Sequence, residues 1–218
     1  ILAGMISPEA TGAIGVAGYL SWFMTMLFWM VDTGAGAIVS RAIGAKKYVE
    51  ASHTTNQALC LSIFMGLFGT AFVWTTAPTF AGLLNMRGQA EQIAVEFMRI
   101  DSIGFLGTAI SFAMAACLRG AGDTRTPMKI FGVVNLINCA CTWVLTFGIA
   151  SWPGMGTAGI AWGTVIARFG GAILFFVYLQ RRGGSRNEKT RPVREYMRLQ
   201  GSLMRPNREL IGRILRIG

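Results

Sequence analysis

Five apolar runs, at residues 12–40, 58–80, 93–118, 128–150 and 156–179, alternate with short polar or glycine-rich connections. A helix needs about 20 predominantly apolar residues to cross the hydrocarbon core of a bilayer, and every run is long enough. The connections, at 41–53, 82–91, 119–126, 151–155 and 180–208, each hold a turn signal or a charge cluster. A last apolar stretch at 210–218 has the pattern of a further helix beginning. The chain therefore reads as an all-α integral membrane protein, a polytopic helix bundle of five full transmembrane helices plus the start of a sixth.

Charge sets the register of these spans. The first connection holds Arg41, Lys46 and Lys47, the third holds Arg119 and Arg125 with Lys129 just beyond, and the fifth holds a basic cluster from Arg181 to Arg208. The second holds only Arg87 and the fourth holds no basic residue. By the positive-inside bias the odd connections are cytoplasmic and the even ones face outward, in a multi-pass protein of the cell membrane. Composition agrees with a membrane location. Charged residues make up 14% of the chain, against about 25% in a soluble domain. Of the 20 Lys and Arg, eleven fall between Arg181 and Arg216, so the net charge of +10 mostly reflects one segment. That placement argues against a nucleic-acid partner, because the basic residues flank apolar spans.

Cys60, Cys117, Cys139 and Cys141 all lie inside apolar runs and read as buried thiols. His53 is the only histidine, which excludes a multi-histidine metal site within the chain. There is no nucleophile–base pair or cofactor motif, so an enzyme is not expected.

Polar groups inside lipid are costly and face a cavity or a partner helix. Asn135, Asn138, Thr142 and Thr146 fall on one face of the fourth span, either as interhelical glue or as an oxygen-rich cation site. Ser21, Thr25 and Asp32 share a face of the first span with Phe28 and Gly36. Asp32 precedes Arg41 by nine residues, which puts it about 13 Å in from the cytoplasmic end. A carboxylate at that depth is protonated, paired or in water. Asp101, with Thr108 and Ser111 on a similar face, lies nearer the outer end and close to Arg99, where a local, partly hydrated setting is expected. Asp32, Asn135 and Asp101 are thus candidates for proton or substrate handling. In the last span Gly156, Gly159, Gly163, Ala167 and Gly170 form a stripe suited to close helix packing, with Thr164 beside it.

The third connection reads Cys117-Leu118-Arg119-Gly120-Ala121-Gly122-Asp123-Thr124-Arg125-Thr126-Pro127-Met128. Gly120 and Gly122 suit the left-handed end of a helix. Thr124 or Thr126 can cap the next one, and Pro127 suits its first turn. The segment closely resembles the loop between the fourth and fifth helices of the multidrug and toxic compound extrusion (MATE) transporters. Ser7-Pro8-Glu9-Ala10 with Ile14-Gly15-Val16-Ala17, and Val39-Ser40-Arg41-Ala42-Ile43-Gly44-Ala45, resemble the start and end of that family's second helix.

The resemblance implies a fold of twelve helices in two lobes, with residues 1–180 the amino-terminal lobe lacking its first helix. It makes 181–208 the basic cytoplasmic linker and 209–218 the start of the second lobe's first helix. It also implies H+- or Na+-coupled antiport that exports amphipathic or cationic drugs and xenobiotics, with no cofactor. The missing first helix and carboxy-terminal lobe, and membrane lipid, would be its partners. By motif position Asn138 and Thr164 match the Asn and Thr of a cation site found in some members, and Thr142 stands where a second Asp is expected. Arg119, Gly120, Gly122, Asp123, Thr124 and Pro127 would form a cytoplasmic hinge. A lipid-linked saccharide flippase of related fold and a non-transporting membrane scaffold are the alternatives.

Overall fold

The computed structural model describes residues 8–149, 153–180 and 207–218. Its helices are α1 (Pro8–Gly44), α2 (Tyr48–Leu83), α3 (Gln89–Ile103), α4 (Phe105–Gly120), α5 (Arg125–Phe147), α6 (Thr157–Gln180) and α7 (Arg208–Ile217). Four of them, α1, α2, α5 and α6, are each long and apolar enough to cross a membrane, and α3 with α4 makes a fifth span bent by 43°. The third apolar run is therefore two helices that meet at Gly104.

Several connections are shorter than the sequence pattern suggests. α1 runs on to Gly44 and α2 begins at Tyr48, so most of the polar segment read as a turn at 41–53 is helical. The reason is local: the Thr54 and Thr55 hydroxyls donate to the carbonyls of Glu50 and Ala51, and the Asn56 amide donates to that of Ser52. Thr54, Thr55, Asn56 and Gln57 are fully buried. Hydrogen bonds to the preceding turn let Thr54, Thr55 and Asn56 sit inside the bundle without breaking the helix, and Gln57 accepts from the Asn207 amide.

Two apolar cores stack along the bundle. One joins the second half of α1 to the start of α2, α4, the end of α6 and α7, through Val31, Val39, Leu59, Met114, Leu118, Phe175 and Ile214. The other joins the first half of α1 to the end of α2, α3 and the start of α4, through Met24, Phe28, Val73, Met98 and Phe105. Phe28 and Phe105 meet edge to face at 5.9 Å.

α5 stands at the edge of this arrangement and leans on α6. A side chain added at Gly159 would strike the backbone of Leu145 and Thr146, and one at Gly163 the backbone of Thr142. The small-residue stripe is thus a backbone-to-backbone seam, but only over its middle: nothing lies near Gly156 or Gly170. Of the cysteines only Cys117 is buried; Cys139 is exposed on α5, and Cys60 and Cys141 are intermediate. The buried-thiol expectation fails there because α5 packs on one side only.

Overpacking a tight seam costs about 1–3 kcal/mol, whereas removing a helical glycine from open space gains up to about 1 kcal/mol. Gly163→Ala is expected to lower the melting temperature in micelles and Gly170→Ala to hold or raise it. Tryptophan-fluorescence melts of the two variants check the contrast.

Candidate functional site

Asp101 sits one turn before the α3–α4 break and is buried. Its partner is Arg168 of α6, with Nη1 3.0 Å from Oδ1, not the neighbouring Arg99. Ser21 of α1 donates to Oδ2 at 2.7 Å, and Arg168 also donates to the Asp101 carbonyl at 3.2 Å. The hydrated outer setting expected for Asp101 is therefore replaced by a buried ion pair that ties α1, α3 and α6 together. Gly104 and Gly107 leave room for it: a Cβ on Gly104 would strike the Arg168 side chain, and one on Gly107 its backbone.

Asp32 is also paired. Arg119 Nη2 lies 2.6 Å from its Oδ1, joining α1 to the end of α4. One turn along α1, Gly36 meets Gly120 backbone to backbone, so the ion pair spans a close helix crossing. Gly120 is thus a packing residue inside α4, and the left-handed conformation belongs to Gly122, at φ 93°.

The hinge motif closes on its own acid. The Thr126 amide donates to Asp123 Oδ1 at 3.0 Å, and the Tyr178 hydroxyl of α6 donates to Oδ2 at 2.9 Å. Thr126 Oγ1 lies 3.2 Å from the Tyr178 hydroxyl. Asp123, rather than Thr124 or Thr126, supplies the side-chain cap of α5. Thr124 occupies the cap position without a side-chain bond. Pro127 lies in the first turn of α5 and is buried.

The polar stripe of α5 divides along its length. Thr142 and Thr146 are buried and their hydroxyls lack a hydrogen-bond partner among the described residues. Asn138 is half-buried and Asn135 exposed. Thr142 packs on Gly163, the residue before Thr164. Thr164 bonds its own helix, at the Ile160 carbonyl. α5 and α6 hold no carboxylate, so these two helices would offer a cation only neutral oxygens. Asp32 and Asp101 are elsewhere, each on its arginine.

One feature of α1 escaped the sequence reading. Tyr19, Trp22, Phe23, Met26, Trp29 and Met30 lie on one helix face and are 36–71% exposed. The spacing of three, one, three, three and one was available in the sequence, but nothing there distinguishes an exposed aromatic face from a core one. Arg168 was easier to find. A basic residue in mid-span requires an acidic partner, and Asp32, Glu96 and Asp101 are the acids within the apolar runs.

The MatE family profile matches residues 1–144. This chain belongs to the MatE family. Its apolar helices make it a multi-pass membrane member of that family. It is 31% identical over 179 residues to the probable multidrug resistance protein NorM of Thermotoga maritima, covering 82% of this chain and 39% of that protein. It is 21% identical over 189 residues to the multidrug export protein MepA of Staphylococcus aureus, covering 87% and 39%. An inward-facing multidrug resistance MATE transporter structure superposes over the whole chain with a TM-score of 0.83 at 20% identity, and 46% of that structure is covered. An outward-facing one gives 0.77 at 22%. The MatE chain spans about 40% of the length of these curated relatives.

Breaking a buried ion pair by removing one partner costs about 3–5 kcal/mol, whereas replacing both by apolar groups is often neutral. Asp101→Leu alone is expected to destabilise the MatE chain by that amount. Asp101→Leu with Arg168→Met is expected to restore most of it in denaturant titrations.

Asp123 yields a pH prediction. Burial alone would raise its carboxyl, but hydrogen bonds from Thr126, Tyr178 and the Arg125 amide outweigh this and hold it below its ordinary 3.8. A carboxylate with a lowered pKa stabilises the fold fully above its unfolded value and loses that contribution as pH falls through the folded one. Asp123→Ala is expected to cost about 1 kcal/mol at neutral pH. The gap to the unsubstituted chain should close in melts taken at acid pH below the ordinary carboxylate range.

Proposed function

We propose that this chain forms most of one lobe of a secondary transporter that exports amphipathic, often cationic compounds in exchange for H+ or Na+, by alternating access. The observation that carries this reading is the exposed aromatic and methionine face of α1. Aromatic faces attract flat and cationic molecules through stacking and cation–π contacts, and methionine adapts to varied shapes. Such a face suits a binding surface with broad selectivity. The names of the relatives, multidrug resistance and multidrug export proteins, point the same way.

In this reading the basic connections, including Arg41, Lys46 and Lys47, are cytoplasmic. α7 is the start of the second lobe, and the interlobe linker falls mostly on residues 181–206, outside the described residues. Export requires that the ion and the compound favour different conformations, since only differential affinity shifts an equilibrium. Asp32 is the candidate that links ion to conformation. Its carboxylate is paired with Arg119 across a helix crossing, and protonation would remove the pair. Asn138, Thr142 and Thr164 would offer Na+ neutral oxygens from this chain, and H+ and Na+ both remain as coupling ions in this reading.

The test uses proteoliposomes of a protein carrying this chain at the length of its relatives, loaded with ethidium and driven by a pH or Na+ gradient. Each cation–π contact is worth about 0.5–1 kcal/mol at exposed sites, so Trp22→Ala with Trp29→Ala should weaken apparent ethidium affinity roughly five- to thirtyfold. Unchanged affinity in this double variant would remove the binding surface from the proposal. Asp32→Asn should flatten the pH dependence of efflux; an unaltered profile reduces Asp32 to a packing residue. Gradient-driven efflux by vesicles holding only the 218-residue chain would overturn its assignment as part of a lobe.

A further inference from the structure

Between the end of α1, the turn that follows and α7 lies a cavity of about 210 Å3. Ile38, Ala42, Ala45 and Ile217 give it an apolar lining, and Arg41, Lys47 and Arg213 add three cations against one carboxylate, Glu50. Glu50 stands 4.0 Å from Lys47 and 3.9 Å from Arg213, at the limit of ion-pair contact. Arg41 has no ion-pair partner among the described residues. The fold thus brings three like charges from three separate segments together with less than half of the charge answered. The Lys47 and Arg213 side chains are 69% and 68% exposed, so water screens much of their repulsion, and the three cations form an open basic face that an anion can complete.

The chemistry of the lining selects the anion. Compact clustered oxygens suit two guanidinium groups and an ammonium, which favours a phosphate. The apolar residues sharing the cavity would do nothing for a free phosphate but would carry the start of an acyl chain. Basic pockets between membrane helices take anionic headgroups for this reason.

We infer that this cavity binds the phosphate headgroup of an anionic phospholipid, which thereby clamps α7 onto α1 and α2. α7 is prepared for such docking. Ile214 is fully buried and its carbonyl lies against Gly34, where a Cβ would not fit. The Asn207 amide donates to Gln57 of α2 at 2.9 Å, and the Asn207 side chain caps α7 by accepting from the Glu209 and Leu210 amides. These contacts hold the buried side of α7, and the lipid would hold its basic side through Arg213. The inference does not depend on the transport reading, because it concerns only charge and packing in the chain itself.

The test is lipid retention by the 218-residue chain, released from nanodiscs of phosphatidylglycerol mixed with phosphatidylcholine and measured by native mass spectrometry. Preferential retention of phosphatidylglycerol is expected. Arg41→Gln, Lys47→Gln and Arg213→Gln should each weaken it roughly fivefold, the worth of one basic residue near an anionic surface. Arg208→Gln, outside the cavity lining, should leave it unchanged. An equal loss in Arg208→Gln would mean diffuse attraction and overturn the site, as would equal retention of phosphatidylcholine. Displacement of the lipid by equimolar inorganic phosphate would overturn the lipid assignment. The clamp has its own readout: amide exchange over 208–217 should slow in phosphatidylglycerol nanodiscs and not in Arg41→Gln/Arg213→Gln. Exchange that ignores the lipid would sink the clamp, and circular dichroism confirms that the variants remain helical.

Discussion

A single charge near the middle of a membrane helix costs about 2.5–3.5 kcal/mol on insertion scales, and more when nothing accompanies it. Arg168 stands near the middle of α6 and Asp101 within the bent third span, so each is drawn to the other, and part of the bundle is arranged around that meeting. The pair closes at 3.0 Å, and Arg168 can reach it only because Gly104 and Gly107 present no side chains. The same Gly104 is where the third span bends by 43°. Bend, glycines and ion pair are one device: the backbone turns aside at the point where a guanidinium must enter.

A second crossing follows the same logic with smaller parts. Gly36 and Gly120 bring α1 and α4 into backbone contact, and Asp32 and Arg119 pair beside that contact. The α5–α6 seam at Gly159 and Gly163 has close approach without charge. Where two helices touch backbone to backbone, small changes at one are carried to the other, because packed interfaces do not deform continuously. The two carboxylates therefore sit where a change of charge would be felt by whole helices, whereas the neutral hydroxyls of Thr142 and Thr146 are wedged into a seam.

The apolar runs made the spans legible, since about 20 apolar residues in sequence have few other uses. The hinge motif was legible as a stop and a start, but the identity of its cap was not. Asp123, Thr124 and Thr126 are all competent caps, and the Tyr178 hydroxyl from α6 favours Asp123. That information lies 55 residues away. The polar start of α2 was misread for the opposite reason. The segment 41–53 looks like a loop when counted by polarity, yet the Thr54, Thr55 and Asn56 side chains that follow bond its carbonyls one turn back and the helix persists. Polarity reports hydration only when no local partner competes with water.

The partner of Asp101 is not its neighbour in sequence. Arg99 stands two residues from Asp101, but residues two apart on a helix do not face each other. Arg99 lies instead over the ring of Trp74, at 5.8 Å. Arg168, 67 residues distant, was the remaining mid-span cation. A rule of charge balance within the membrane, applied before proximity in sequence, would have joined them. The same rule explains Asp32, whose partner Arg119 closes the next helix crossing. In this chain the intramembrane acids are best read as halves of interhelical bonds, so any ion that acts on them must compete with an arginine already in place.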